Sequence, residues 1–96
     1  MMLPKATKAQ IKKATNVYNS RWPYIGGYRA DILEVDGVYL LEYCSAGCHN
    51  PTQSNQEYYL LNENQFELFD VVEYDDYNST ACAQAMLDIA DRLLGK

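Results

Sequence analysis

The sequence lacks the motifs that would identify a catalytic activity. It has one histidine and no nucleophile elbow, P-loop or dinucleotide-binding fingerprint. It has no apolar run of about 20 residues, the length that a membrane span requires, and no apolar stretch near its start of the kind that a signal peptide carries. These absences predict a protein with no catalytic residue, no bound cofactor and no contact with a membrane.

Acidic residues are absent from the first 29 positions. Six cations lie there instead: Lys5, Lys8, Lys12, Lys13, Arg21 and Arg29. Residues 30–96 hold all 13 acids against Arg92 and Lys96, which gives the whole chain a net charge of −5. Such asymmetry concerns partners and association rates rather than the fold. We expect the acidic part to repel nucleic acid and to attract basic surfaces.

Residues 28–45 predict a β-hairpin, because two apolar runs flank Asp36-Gly37. Asp-Gly is the preferred dipeptide of a two-residue type I′ turn, in which both central residues have φ > 0. The turn then sets three opposed pairs, Val35 with Val38, Leu33 with Leu40, and Asp31 with Glu42.

The two faces of this hairpin differ in character. One carries a continuous apolar set, which we expect to pack in the core: Tyr28, Ala30, Ile32, Tyr39, Leu41 and Tyr43. The other combines Leu33, Val35, Val38 and Leu40 with Asp31 and Glu42. Two acids directly opposite each other normally destabilise a sheet, and apolar residues beside such acids are typical of a binding surface. This second face is therefore predicted to be exposed and to contact a partner.

The rest of the chain predicts two helices and two further strands. A helix is expected over residues 4–19 and another over residues 80–94, each from a stripe of apolar side chains at helical spacing. Two strands, Glu57–Leu61 and Phe66–Tyr74, are predicted on either side of a polar turn, the second from its alternating apolar residues. The predicted fold class is α+β in the order α-β-β-β-β-α. One domain, residues 1–96, contains an antiparallel sheet with the N- and C-terminal helices packed on one face.

The stretch 43–51 contains two of the three cysteines and the histidine. Cys44, Cys48 and His49 are residue types that bind zinc, but adjacent Cys48 and His49 cannot easily reach one ion together. Cys44 and Cys48 are also close enough in sequence for a disulfide. Cys82 lies on the apolar stripe of the last helix, where cysteine behaves as a small hydrophobe. We interpret the stretch as an exit from a strand into a loop, with no metal bound and with thiols kept reduced in the cytoplasm.

Carboxylates and interleaved tyrosines form the predicted partner-binding surface. The candidate residues are Asp31, Glu34, Asp36, Glu42, Asp70, Glu73, Tyr74, Asp75, Asp76 and Tyr77. Tyrosine is enriched at interfaces because it buries a large area at low entropic cost. The competing interpretation is a solvated acidic face above a tyrosine-rich core.

In size, charge and texture the chain resembles small acidic inhibitors carried by phages and mobile elements, such as anti-CRISPR and antirestriction proteins that imitate DNA, and acidic immunity proteins. The three cysteines, without a secretion signal, predict a cytoplasmic protein. Monomer and homodimer both stay open, because the lysine-rich helix of one copy could meet the acidic strands of another. The resemblance implies a non-catalytic inhibitor. Its partner would be a basic protein surface, such as that of a nucleic-acid-binding protein or complex, with no direct contact to nucleic acid. The alternative is a nucleic-acid- or zinc-binding accessory protein that uses the lysine-rich N-terminal helix or the Cys44/Cys48/His49 loop.

Overall fold

The computed structural model describes residues 3–18, 28–44, 56–70 and 79–96. Along the chain they form α1 (Lys8–Lys13), β1 (Thr15–Tyr18), β2 (Arg29–Val35), β3 (Val38–Cys44), β4 (Gln56–Leu61), α2 (Glu63–Asp70) and α3 (Ser79–Leu94). The predicted α+β class is confirmed, with a helix, four antiparallel strands in one sheet and a C-terminal helix, in that order. The loops predicted within 19–27 and 45–55 lie outside the described residues.

The sheet has the strand order β1-β2-β3-β4 and is built around the predicted hairpin. All three predicted pairs are present: Val35 with Val38, Leu33 with Leu40, and Asp31 with Glu42. Asp36 has φ 50° and Gly37 has φ 78°, as a type I′ turn requires. Since nothing lies within 4 Å of a Cβ built on Gly37, its conformation rather than crowding explains the glycine.

The prediction of a strand beyond residue 65 is wrong for residues 66–70, which the structure describes, because they belong to helix α2. Asn62 and Gln65 begin the helix with a reciprocal pair of hydrogen bonds. The Gln65 amide donates to Asn62 Oδ1 at 2.9 Å, and the Asn62 amide donates to Gln65 Oε1 at 2.8 Å. Both bonds satisfy N–H groups that a helix start leaves unpaired. Phe66 and Phe69, three residues apart, then pack on the core. Residues 71–74 lie outside the described residues.

The N-terminal helix is much shorter than the predicted span of 4–19. Thr7 begins α1 through the same type of reciprocal hydrogen bonding, here with Gln10, and Ala14 ends it in an extended conformation. Residues before α1 run along β4, where the Leu60 amide donates to the Pro4 carbonyl at 2.7 Å and the Ala6 amide to the Tyr58 carbonyl at 2.9 Å. Residues after α1 form β1, the strand that completes the sheet beside β2.

The N-terminal segment therefore crosses the sheet from the edge of β4 to the edge of β2. Ala6 and Ala14, on either side of α1, pack against the apolar cluster of Leu33, Val35 and Leu40. We call this side of the sheet the α1 face. The prediction that both terminal helices share one face is wrong for α1, because Leu33, Val35 and Leu40 alternate in sequence with the residues that face α3.

The larger core lies on the opposite side of the sheet, which we call the α3 face. Its buried residues come from the N-terminal segment, strands β2, β3 and β4, and helices α2 and α3: Leu3, Ala30, Ile32, Leu41, Tyr43, Tyr59, Leu61, Phe69, Met86, Leu87, Ala90 and Leu94. Tyr39 and Phe66 add a stacked pair whose ring centroids are 3.8 Å apart. The predicted core face of the hairpin is confirmed, except that Tyr28 is exposed.

The C-terminal helix, predicted over 80–94, is confirmed as α3. The predicted apolar stripe is centred on Cys82, Met86, Ile89 and Leu93. The buried stripe is rotated from it, since Ala83, Leu87 and Ala90 are buried whereas Ile89 and Leu93 are half-buried. Gly95, at φ 77°, ends the helix: its amide donates to the Arg92 carbonyl, and the Lys96 amide donates to the Asp91 carbonyl at 2.8 Å. None of the helices in the described part of the chain is long and apolar enough to cross a membrane.

Candidate functional site

The structure separates the predicted partner-binding residues into three groups. Glu34 and Asp36 are exposed near the hairpin turn, whereas Glu42 is half-buried and Asp31 is fully buried. Asp70 is the last residue of α2. The remaining candidates lie outside the described residues: Glu73, Tyr74, Asp75, Asp76 and Tyr77. One exposed surface therefore does not contain the whole predicted set.

Asp31 cannot belong to an exposed binding surface, because its accessible fraction is 0%. The apolar residues of the same hairpin face are also buried: Leu33, Val35 and Leu40. Val38 alone among the predicted exposed apolar residues of this face is accessible, at 36%. The prediction was wrong because it assumed a sheet with one face in water, whereas both faces are covered in this fold.

Helices α2 and α3 form an acidic layer above the α3 face. Together they carry five acids and one arginine. Glu63, Glu67 and Asp88 are exposed, and Glu34 extends from the same face of the sheet near the turn. Asp88 accepts a hydrogen bond from the Gln84 amide at 2.9 Å across one helical turn. Folding thus gathers carboxylates that are far apart in sequence onto one side of the molecule. We call this surface the acidic layer, defined by Glu34, Glu63, Glu67 and Asp88.

Helix α1 forms a basic layer on the other side of the sheet. Lys8, Lys12 and Lys13 are exposed, and α1 contains no acid. The ion pairs found within the described residues are Arg29 with Asp31, and Lys5 with Glu57 at 4.0 Å. The sheet therefore stands between the lysines of α1 and the carboxylates of the acidic layer, so this helix does not neutralise them.

Three tyrosines bind carboxylates inside the protein instead of lining its surface. The Tyr43 hydroxyl donates to Asp91 at 2.7 Å, the Tyr59 hydroxyl donates to Glu57, and Tyr58 forms a side-chain hydrogen bond with Glu42. Lys96 lies over the Tyr43 ring, with Nζ 4.5 Å from the centroid. The Tyr43–Asp91 bond joins β3 to α3, and the Tyr58–Glu42 bond links β4 to β3, whereas the Tyr59–Glu57 bond lies within β4. The interpretation of tyrosine as a core residue type is thus correct for Tyr43 and Tyr59.

Burial and the carboxylate partners together suppress ionisation of these tyrosines. Burial, and secondarily the hydrogen bond to Glu57, raises the pKa of Tyr59 to about 12. The pKa of Tyr43 is raised further, mainly by burial and then by the bond to Asp91. Each phenol consequently remains a hydrogen-bond donor over the whole neutral range.

A row of polar side chains crosses the α1 face of the sheet. Arg29 donates from Nε at 2.6 Å, and its Nη2 lies 2.5 Å from the same Asp31 Oδ2 atom. Asp31 is opposite Glu42 on β3, and Glu42 is opposite Tyr58 on β4. The hairpin register predicted the first neighbours of this row. Tyr58 could not be predicted, because its position depends on the register between β3 and β4.

The cysteines differ from the sequence expectation of reduced thiols. Cys44 is fully buried and disulfide-bonded, whereas Cys82 is present as a thiol and is half-buried on α3. A disulfide sulfur is not the thiolate that zinc requires, so Cys44 in this state is not a zinc ligand, and the zinc alternative stays a prediction. Cys48 and His49 lie outside the described residues. The described part of the chain contains no group of three or more residues able to hold a metal ion.

An open groove of about 350 Å³ lies between the N-terminal segment, the start of β3 and the start of α2. Its walls are mainly apolar, with Leu3, Pro4 and Leu60 among them, and its polar side chains are the amides Asn62 and Gln65. Among the described residues that line the groove, none carries an acid, a base or a nucleophile.

Comparisons of the chain with protein-family models, with curated proteins and with solved structures found no match. The function must therefore be argued from the site itself.

Proposed function

We propose that this protein is a small non-catalytic interaction protein whose acidic layer binds a basic surface of a nucleic-acid-binding protein. The supporting observation is the separation of charge across the sheet. Glu63, Glu67 and Asp88 are exposed on one side, while the lysines of α1 are exposed on the other. Carboxylates left accessible in this way are able to pair with cations on another molecule.

In the proposed mechanism, carboxylates take the place of phosphates in a groove that normally holds nucleic acid. The negative field of the acidic layer steers the protein toward the groove and gives fast association at low salt. Because exposed charges are screened over about 10 Å at 0.1 M salt, the complex weakens as salt rises. The partner then loses access to nucleic acid, so the protein acts as an inhibitor. An origin in a phage or mobile element belongs to the same proposal.

The proposed site of action is the cytoplasm, where nucleic-acid-binding proteins work. The disulfide at Cys44 weighs against this location, because reducing conditions in the cytosol make structural disulfides rare. Fractionation of cells, followed by alkylation of the protein under non-reducing conditions, tests both the compartment and the redox state.

The test begins with capture of partners from a bacterial lysate. Three baits are compared: the wild type, a Glu63→Gln/Glu67→Gln/Asp88→Asn variant, and a Lys8→Gln/Lys12→Gln/Lys13→Gln control. Each captured protein is then purified and bound to a labelled DNA duplex. We expect the wild type and the lysine control to displace the duplex, and the acid variant to lose displacement at least tenfold, because three of the four carboxylates that define its acidic layer are neutral.

Two results would contradict the proposal. One is displacement by the acid variant that equals displacement by the wild type. The other is an affinity for the captured protein that does not change between low and high salt.

The basic layer supports a second candidate function, direct binding of nucleic acid. Its specific observation is the exposure of three lysines on a helix without acids. Each phosphate contact contributes a slope of about −0.9 in log affinity against log salt for duplex DNA, so three lysines predict a slope near −3. Retardation of a DNA duplex at physiological salt, lost in the lysine variant and kept in the acid variant, would favour this candidate over the first.

A further inference from the structure

The polar row on the α1 face crosses three strands in an unbroken sequence of contacts. From β2 to β4 it consists of Arg29, Asp31, Glu42 and Tyr58. The Asp31 carboxylate is inaccessible to solvent and receives two close contacts from the Arg29 guanidinium. Glu42 lies directly opposite Asp31 on one side and Tyr58 on the other, within side-chain hydrogen-bonding reach of both.

The hydrogen bond between Asp31 and Glu42 requires a proton. Two ionised carboxylates are both acceptors and repel each other, so such a bond forms only when one of them is protonated. The Arg29 guanidinium contacts Asp31 directly, and burial raises the pKa of Glu42. Glu42 is therefore the group that carries the proton and donates it, while the Tyr58 hydroxyl donates to Glu42.

We propose that the Asp31–Glu42 carboxyl pair is a pH-sensitive bridge of the sheet, which holds β2 to β3 while Glu42 is protonated and weakens the fold when Glu42 ionises. Loss of the proton converts a hydrogen bond into a repulsion between two carboxylates that face each other on adjacent strands. The device is independent of the acidic layer, which lies on the other side of the sheet.

The surroundings of Glu42 support this direction. The pKa of Glu42 is raised above 4.5, first by burial and also by the charge of Asp31 and the hydrogen bond to it, whereas Tyr58 and Arg29 oppose the rise. Cys44, on the same face of β3, is disulfide-bonded and does not titrate. The lysines of α1 on this side of the sheet, Lys8, Lys12 and Lys13, are exposed to water, which screens them.

The sign of the pH dependence follows from this raised pKa. The folded protein retains a proton on Glu42 that the unfolded chain releases near pH 4.5, so the contribution of the pair to stability is fully present below that value. The contribution is lost as pH rises through the folded-state pKa. Within this window the unfolding equilibrium constant should rise about tenfold for each pH unit, as expected for one proton.

The experiment is urea unfolding of the full chain at a series of pH values from about 4 to about 9, chosen to span this window. Glu42→Gln is the informative variant, because its amide can still donate to Asp31 and its carbonyl can still accept from Tyr58, but it does not titrate. We expect this variant to lose the pH dependence of the wild type over the window. The matched control, Glu34→Gln, removes an exposed acid from the neighbouring strand and should keep that dependence.

A second variant shifts the pH range over which stability is lost, instead of removing the pH dependence. The hydrogen bond from Tyr58 favours ionised Glu42, so Tyr58→Phe should move the loss of stability to higher pH. A carboxyl ¹³C titration by NMR in the wild type gives the pKa of Glu42 directly, without any substitution. Parallel pH profiles of the wild type and Glu42→Gln, or a Glu42 carboxyl that titrates at or below 4.5, would overturn the proposal.

Discussion

The two faces of the sheet use different chemistry to cover the same strands. The α3 face is a continuous apolar core to which both strands of the hairpin, β4, α2 and α3 contribute. The α1 face has a small apolar cluster centred on Leu33, Val35 and Leu40, and beside it the polar row from Arg29 to Tyr58. Outside these layers the charges also differ, with carboxylates above the α3 face and lysines on α1.

Most of the apolar core and the proposed pH-sensitive pair therefore lie on opposite sides of one sheet. Burial of apolar area contributes stability that hardly depends on pH, whereas a buried polar row depends on which of its groups carry protons. The hairpin connects the two faces, because its residues alternate between them. Leu40 and Leu41, neighbours in β3 with no accessible surface, point to opposite sides.

The largest expected effects come from this pair of leucines. Leu41→Ala should lower the free energy of unfolding by about 4 kcal/mol, because it opens a cavity in the large core. Leu40→Ala should cost about 3 kcal/mol, because a smaller cluster can collapse further around the gap. Urea unfolding of both variants measures the difference. Equal losses, or a larger loss for Leu40→Ala, would contradict the assignment of the main core to the α3 face.

The next effect concerns the buried ion pair. Asp31→Asn leaves Arg29 without its carboxylate partner in a partly buried site, and should cost about 3 kcal/mol. Asp88→Asn, in the exposed acidic layer, should change stability by less than about 0.5 kcal/mol. Thermal unfolding of the two variants at one pH separates a structural acid from a surface acid. A small effect of Asp31→Asn would show that the polar row does not support the α1 face.

A smaller effect is expected from the two helix starts. Asn62 and Thr7 make equivalent reciprocal bonds at α2 and α1. Asn62→Ala should cost about 1 kcal/mol, because α2 carries Phe66 and Phe69 into the large core. Thr7→Ala should cost less, since α1 has no fully buried residue. Amide hydrogen exchange should then show that α1 opens more readily than α2. The opposite order would contradict the expectation that α1 is held less firmly than α2.

The last prediction concerns the cysteines, and its test requires no substitution. A disulfide takes two of the three cysteines, and Cys82 is a thiol. One thiol per chain should therefore react with an aromatic disulfide reagent in the denatured, unreduced protein, and three after reduction. Reaction of three thiols without reduction would show that Cys44 is a reduced thiol, as the sequence predicts, and is not disulfide-bonded.

Much of the fold could be predicted because local chemistry determines it. The Asp36-Gly37 turn fixes the hairpin register, and the stripe of α3 fixes its helix. The strand predicted from Phe66 and Leu68 was wrong because apolar residues at alternate positions also fit a short helix, and the Asn62–Gln65 bonds decide between the two. The length of α1 was overestimated because helical spacing alone does not show that residues 15–18 pair with β2.

The candidate site could be predicted only in part. Net acidity and its asymmetry are visible in the composition, but which carboxylates remain exposed depends on packing. Asp31 and Glu42 were correctly paired and wrongly placed in solvent, because the segment that crosses the α1 face was not foreseen. The tyrosine–carboxylate bonds join residues as far apart as Tyr43 and Asp91, and no local pattern marks them.

Folding gathers an accessible acidic layer on α2, α3 and the end of β2, away from the lysines of α1. The most direct measurement is a titration of the ¹⁵N-labelled protein with an arginine-rich peptide, followed by amide shifts in NMR spectra. We predict shifts at Glu63, Glu67 and Asp88 that disappear at high salt and in the neutralised acid variant. Shifts spread evenly over the surface, or concentrated on α1, would contradict the claim.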